Sequence, residues 1–215
     1  MSDLKNLEKN LREDFNKFKI DFKNLPSHPV NLFSKWIERA LKKDNEANAF
    51  VLSTVSENSI PSSRVILLRG CNEKGFTFFT NYRSAKATDI EKNNNVSLNF
   101  YWHEFQRQVR ILGEAEKISA TESDKYFSSR PRESQIGAWI SDQSTVINLY
   151  YKFVNEMNKI ESRFKGKKIE RPLHWGGYNV TPTIIEFWQG RPFRLHDRLR
   201  YRLHKDIWKI ERLAP

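Results

Sequence analysis

A chain of 215 residues, 38% of them hydrophobic, is long enough for one domain with a sizeable core and too short for two full ones. Its net charge of +11 draws anions, whether nucleic acid, anionic lipid or phosphorylated small molecules, and the spread of basic residues along the whole chain favours local anion pockets over a basic arm. The single cysteine, Cys71, excludes an internal disulfide and a multi-cysteine metal site and fits a reducing, cytoplasmic compartment. The five histidines lack ligand spacing, so no metal is expected; no long apolar run or leader-like apolar stretch predicts a membrane span or an export signal.

Residues 1–28 are read as a mobile or weakly helical arm, with Leu4, Leu7, Leu11, Phe15 and Phe18 at three- and four-residue spacing, and residues 29–215 as the main domain. After LPSHPVN, the stripe Leu32, Phe33, Trp36, Ile37, Ala40 and Leu41 predicts a helix ending in Lys42-Lys43, where cations suit the helix C-terminus. AFVLSTVS, SRVILLRG and FTFFTN then read as three successive strands, with Arg64 and Arg69 near opposite ends of the second. In NYRSAKATDIEKN, Ser84 stands as N-cap and Lys86 lies in the first turn, a seat suited to phosphate.

Two more strands follow, VSLNFYWHEF and QRQVRILGEAEKIS, the second placing Gln106, Gln108 and Arg110 on one face and Val109 and Ile111 on the other, with a bulge or bend at Gly113. A short helix with Thr121 as N-cap carries Tyr126 and Arg130 four residues apart, and Ser134 follows Pro131. Phenol, guanidinium and hydroxyl together suit a phosphate dianion. A loop with Gln143 and Ser144 leads to a helix through about Arg163, and strands close the chain. In EFWQGRPFRLHDR a hairpin is expected, its second strand placing Arg194 and His196 on one face beside Trp188. Taken singly, each of these groups more often belongs to an ordinary solvated polar surface. Roughly seven antiparallel strands with helices between them predict an α+β fold on a small barrel, and no GxGxxG or GxxxxGK[ST] motif supports a Rossmann or P-loop site.

SRVILLRG, FTFFTN, QRQV, KYFSSRPRESQIGAWISDQS, EFWQGRPFRLHDR and WKIERLAP together resemble the pyridoxamine (pyridoxine) 5'-phosphate oxidase family over about residues 30–215. The resemblance implies an FMN-binding split β-barrel with flanking helices, a homodimer with FMN at the interface. It also implies oxidation of pyridoxamine or pyridoxine 5'-phosphate to pyridoxal 5'-phosphate by molecular oxygen. Carried over by motif, the FMN positions are Arg64, Phe79, Thr80, Lys86, Gln108, Gln143, Ser144, Trp188 and Arg198; the substrate positions are Arg69, Tyr126, Arg130, Ser134, Arg194 and His196, the last two facing the ring at the reacting centre.

Three departures stand out. Arg69 replaces the usual Lys. Ala85 stands where an Arg is usual, and Arg83 is the expected substitute in holding FMN. Arg12, Asp14 and Phe15 occupy the place of an Arg- and Tyr-bearing lid, and Phe15 lacks the hydroxyl. Two other readings accompany this one: a split-barrel flavoprotein acting on another small molecule, and a basic nucleic-acid-binding barrel.

Overall fold

The computed structural model describes residues 15–146 and 150–215, the side chains of 150–155 excepted; Leu4, Leu7, Leu11, Arg12 and Asp14 fall outside the described residues. Helix α1 (Pro29–Leu41) forms where the apolar stripe predicts it, started by Pro29 at its first turn and by His28, whose Nδ1 accepts from the Val30 N–H. Its buried face, centred on Phe33, packs edge-on against Phe76 and Phe100, each 5.0 Å away between ring centres.

Nine strands are present among the described residues, against the seven expected: β1 (Ala49–Val55), β2 (Pro61–Leu67), β3 (Gly70–Asn72), β4 (Gly75–Asn81), β5 (Asn95–Trp102), β6 (Arg107–Lys117), β7 (Trp175–Gln189), β8 (Asp197–His204) and β9 (Ile207–Leu213). All pairings are antiparallel, in the order β2-β1-β5-β6-β7-β4-β3, with β8 beside β7 and β9 beside β8. The sheet curls because the 15-residue β7 changes partner along its length: 175–180 pair with β4, and 184–189 pair with β8. The break falls at Pro182, which cannot donate to the ladder, opposite the register shift at Gly113. A Cβ on Gly113 would run into the Thr181 carbonyl oxygen and come within 2.9 Å of the Pro182 Cα. The bend expected at Gly113 is therefore a close backbone approach that only glycine permits.

Helix α2 (Ala85–Lys92) follows β4, α3 (Ala120–Ser129) and α4 (Arg132–Ile140) follow β6, and α5 (Tyr150–Arg163) precedes β7. Phe127, Ile136, Phe164 and Trp175 make a second, smaller core under α3 and α4. The cap of α3 is Ser119, not Thr121: its hydroxyl accepts from the Glu122 N–H while the Glu122 carboxylate accepts from the Ser119 N–H, a complete capping box. Gln106 also departs from expectation, lying outside β6 in a left-handed turn with φ 52°. Gln108 and Arg110 do face outward, while Val109 and Ile111 are fully buried.

Within the expected arm, residues 15–28 form no helix and lie against the body. The Ile20 N–H donates to Asp197 Oδ2 at 3.3 Å, Arg191 Nη1 donates to the Phe18 carbonyl at 3.2 Å, and Tyr201 donates to the Pro26 carbonyl at 2.9 Å.

Candidate active site

Two concave seats lie side by side and share Val65, Ile66 and Gln143 in their walls. The first is a cleft of about 390 Å³ lined by Arg64, Ala85, Lys86, Gln143 and Ser144. β2 supplies Arg64 and the start of α2 supplies Lys86. Ser84 occupies the N-cap place without capping through its side chain; its hydroxyl donates to the Asn81 carbonyl at 2.7 Å and accepts from Lys86 Nζ at 3.0 Å. Lys86 Nζ also donates to Gln143 Oε1 at 2.6 Å and Thr80 Oγ1 at 3.2 Å. The ammonium is thus buried among neutral oxygens; burial first, and the Arg64 charge second, lower its pKa to about 8. The Ala85 N–H donates to Ser144 Oγ at 3.3 Å, so the exposed start of α2 opens into the same cleft.

The second seat, about 430 Å³, is lined by Arg69, Phe79, Thr80, Tyr126, Arg130 and Ser134 together with Asn81, Ser141 and Trp175. Tyr126, Arg130 and Ser134 converge here although α3 ends at Ser129 and α4 begins at Arg132. The Phe79, Tyr126 and Trp175 rings cluster nearly parallel, with centroids 3.9 Å apart for Phe79–Tyr126, 5.4 Å for Phe79–Trp175 and 6.2 Å for Tyr126–Trp175. Gly177, opposite Phe79 on β7, permits this: a Cβ there would come within 2.8 Å of the Phe79 ring. The Arg130 guanidinium stacks over Trp175 at 4.6 Å, and its Nη1 is buried without a hydrogen-bond partner among the described residues. Burial lowers the Arg130 pKa, which Tyr126 counteracts and Arg69 reinforces. A buried, unsatisfied guanidinium nitrogen is costly unless an anion completes it.

The remaining predicted residues stand apart from both seats. Gln108, Trp188 and Arg198 form one row across β6, β7 and β8. Arg198 is held by Glu186, itself 7% exposed, with Nε 2.9 Å and Nη2 2.8 Å from Oε1; Arg110 Nη2 reaches Glu186 Oε2 at 2.6 Å. Arg194 does not share a strand face with His196: it ends a 3-10 turn, Pro192–Arg194, and both Phe193 and Arg194 have positive φ, 55° and 60°. β8 begins only at Asp197.

His196 packs against Trp188 at 4.7 Å, with Phe15 edge-on to both rings at 5.7 and 5.8 Å. Its Nδ1 accepts from the Arg191 N–H at 3.1 Å, and burial, then Arg194, lowers its pKa. The neutral ring therefore carries its proton on Nε2. Arg83 is exposed and does not line the Arg64–Lys86 cleft; its N–H donates to Asn81 Oδ1 at 2.8 Å.

Trp175 and Asn81 were not singled out in the sequence; the Asn81 amide donates to the Ser141 carbonyl at 2.8 Å and ties β4 to the end of α4. Among the described residues no three His, Cys, Asp or Glu side chains cluster as a metal site, and no helix is long and apolar enough to cross a membrane.

The family described as pyridoxamine 5'-phosphate oxidase matches residues 37–161, and the pyridoxine 5'-phosphate oxidase C-terminal dimerisation region matches residues 175–215. The chain is 47% identical over 209 residues to a pyridoxine/pyridoxamine 5'-phosphate oxidase of Polynucleobacter asymbioticus, covering 95% of this chain and 97% of that protein. A protein of the same name from Flavobacterium johnsoniae is 47% identical over 208 residues, covering 95% and 97%. Among solved structures, PhzG of Burkholderia lata in complex with tetrahydrophenazine-1-carboxylic acid superposes with a TM-score of 0.88 at 27% identity, covering 94% of this chain and all of that one. A pyridoxamine 5'-phosphate oxidase-related, FMN-binding protein of Nostoc punctiforme shares the fold, with a TM-score of 0.72 at 18% identity over 89% of this chain and all of that one. The curled antiparallel sheet with flanking helices is a split barrel, its C-terminal strands are a dimerisation region, and the chain belongs to the pyridoxamine 5'-phosphate oxidase family.

Proposed function

We propose that the protein is an FMN-dependent oxidase converting pyridoxamine or pyridoxine 5'-phosphate to pyridoxal 5'-phosphate in the cytoplasm, with molecular oxygen as acceptor and hydrogen peroxide as the reduced product. The observation that carries this reading is the pair of adjoining cationic seats, one for the cofactor's phosphate and one for the substrate's. FMN suits the first: Arg64 and Lys86 face it with no carboxylate ion-paired to either among the described residues. When bound, FMN supplies a two-electron acceptor for the hydride leaving the substrate's 4' carbon.

The chain's own residues bind and orient. Lys86, Arg64 and the Ala85 N–H would hold the cofactor phosphate. Arg130 forks onto the substrate phosphate, with Tyr126 and Ser134 donating and Arg69 adding charge. The Phe79, Tyr126 and Trp175 rings give the substrate seat an aromatic wall.

Trp188, Arg194, His196 and Arg198 all fall within the matched dimerisation region, so in this reading the hairpin of one protomer completes the cleft of its partner. Trp188, Arg198 and Gln108 would then help hold the cofactor, and Arg194 and the Nε2–H of His196 would hold the pyridine ring. His196 serves here as a donor that orients the ring.

The likeness to PhzG supports a second reading, a split-barrel flavoprotein acting on a non-phosphorylated ring. The convergence of Arg69, Tyr126, Arg130 and Ser134, a donor set suited to a dianion, favours the phosphorylated substrate. Peroxide release decides between them: pyridoxine 5'-phosphate should be turned over with a kcat/KM at least about 100-fold above that of pyridoxine, the worth of a charge-assisted phosphate contact. Equal turnover of both would remove the phosphate from the reading.

A further inference from the structure

We infer that Thr54 and Asp89 form a hydroxyl relay that sets the Arg64 guanidinium toward the anion cleft without neutralising it. This rests on the cofactor-phosphate reading above. Arg64 stands opposite Leu52 in the β1–β2 pairing, and Thr54, two residues along β1, shares the Leu52 face and is fully buried. Arg64 Nη1 donates to Thr54 Oγ1 at 2.8 Å and to the Leu52 carbonyl at 3.3 Å, and Nη2 donates to Ser62 Oγ at 2.7 Å. Thr54 Oγ1 in turn donates to Asp89 Oδ2 at 2.6 Å.

The direction of this chain is fixed by chemistry. A guanidinium has no lone pair, so the threonine oxygen must accept from it, and its one hydrogen is then free for the carboxylate. Only a side chain with both a donor and an acceptor on one small atom fills that place.

The relay explains why a cation remains available. Asp89 is the carboxylate whose charge supports Arg64, partly offsetting the cost of burial, yet it makes no ion pair with Arg64 within 4 Å. The three bonds to Thr54, Leu52 and Ser62 leave the Nε–H and one Nη2–H of the five donors for a ligand anion, and the charge that a direct carboxylate pair would cancel stays in place. Helix α2 carries Lys86 and Asp89 three residues apart, so one helix face delivers the ammonium to the cleft directly and the carboxylate through Thr54. Neither Thr54 nor Asp89 lines the cleft, which makes them positioning residues.

The test compares binding of FMN with binding of riboflavin, which lacks the phosphate, in the full-length apoprotein by quenching of flavin fluorescence. Thr54→Val keeps the shape and removes the hydroxyl; it should weaken FMN binding about tenfold and leave riboflavin binding within about twofold, the loss expected for a hydrogen bond to a charged group. Thr54→Ser should restore the wild-type ratio. Asp89→Asn, at a part-exposed helix position that tolerates the change, should weaken FMN selectively by about threefold, since the amide oxygen still accepts from Thr54. An unchanged FMN-to-riboflavin ratio in Thr54→Val and Asp89→Asn overturns the relay. A wild-type protein that binds riboflavin as tightly as FMN overturns the phosphate seat itself, and the relay with it.

Discussion

Raising the pH from 7 to 9 should discharge Lys86 in the unliganded protein, and the consequence for flavin binding follows from its surroundings. The ammonium is 6% exposed and meets only the oxygens of Thr80, Ser84 and Gln143, with the Arg64 charge nearby; its pKa falls from 10.5 to about 8. That gap corresponds to roughly 3 kcal/mol. A lysine whose folded value lies below its unfolded one destabilises the fold while both states are protonated, below about pH 8; the penalty fades as the pH rises from about 8 toward 10.5. A phosphate dianion beside Nζ restores the ammonium, so binding takes up a proton above pH 8. FMN affinity should fall about twofold from pH 7 to 8 and be about tenfold weaker at pH 9 than at pH 7. Fluorescence titration at fixed ionic strength measures this, with riboflavin showing no such fall and Lys86→Met giving a weaker, pH-independent affinity for FMN. An FMN affinity that stays constant from pH 7 to 9, or falls equally for riboflavin, would refute the reasoning.

Arg130→Ala should raise KM for pyridoxine 5'-phosphate about 100-fold with a smaller change in kcat, because it removes a fork to a group remote from the reacting carbon; steady-state peroxide assays check it. Arg83→Ala should leave FMN affinity within about twofold, since Arg83 lies outside the cleft, as a parallel titration would show. Gly113→Val should lower unfolding stability by at least about 2 kcal/mol in urea, because its side chain meets the Thr181 carbonyl and Pro182 at the bend of the sheet.

Much of this was legible in local pattern. The α1 stripe follows from spacing and the bend at Gly113 from residue type, and both stand where expected; Tyr126, Arg130 and Ser134 line one cleft, but not through a shared helical face, since α3 ends at Ser129 and Arg130 is extended. What was not legible arose where tertiary contacts or unusual backbone decide. Phe15 and Phe18 have helical spacing, but Phe15 goes to Trp188 and His196 while Phe18 goes to Phe105, so residues 15–28 follow the body instead of a helix. Arg194 lost its strand place because two successive non-glycine residues adopt positive φ, which no propensity announces. Ser119-Ala120-Thr121-Glu122 did carry a readable signal, a serine with glutamate three residues later, which marks the cap one turn more clearly than Thr121 does. Trp175 and Thr54 act through partners far along the chain, Arg130 and Asp89, and no window of sequence contains both members of either pair.

The central claim is that a bound flavin takes electrons from a phosphorylated pyridine substrate. The most direct measurement is the absorption spectrum of the purified protein, taken without oxygen before and after adding pyridoxine 5'-phosphate, then again on admitting air. The purified protein should be yellow, with a flavin band that bleaches with substrate and returns with air as hydrogen peroxide appears. A colourless protein that binds no added FMN, or a yellow one that neither pyridoxine nor pyridoxamine 5'-phosphate reduces, would contradict it.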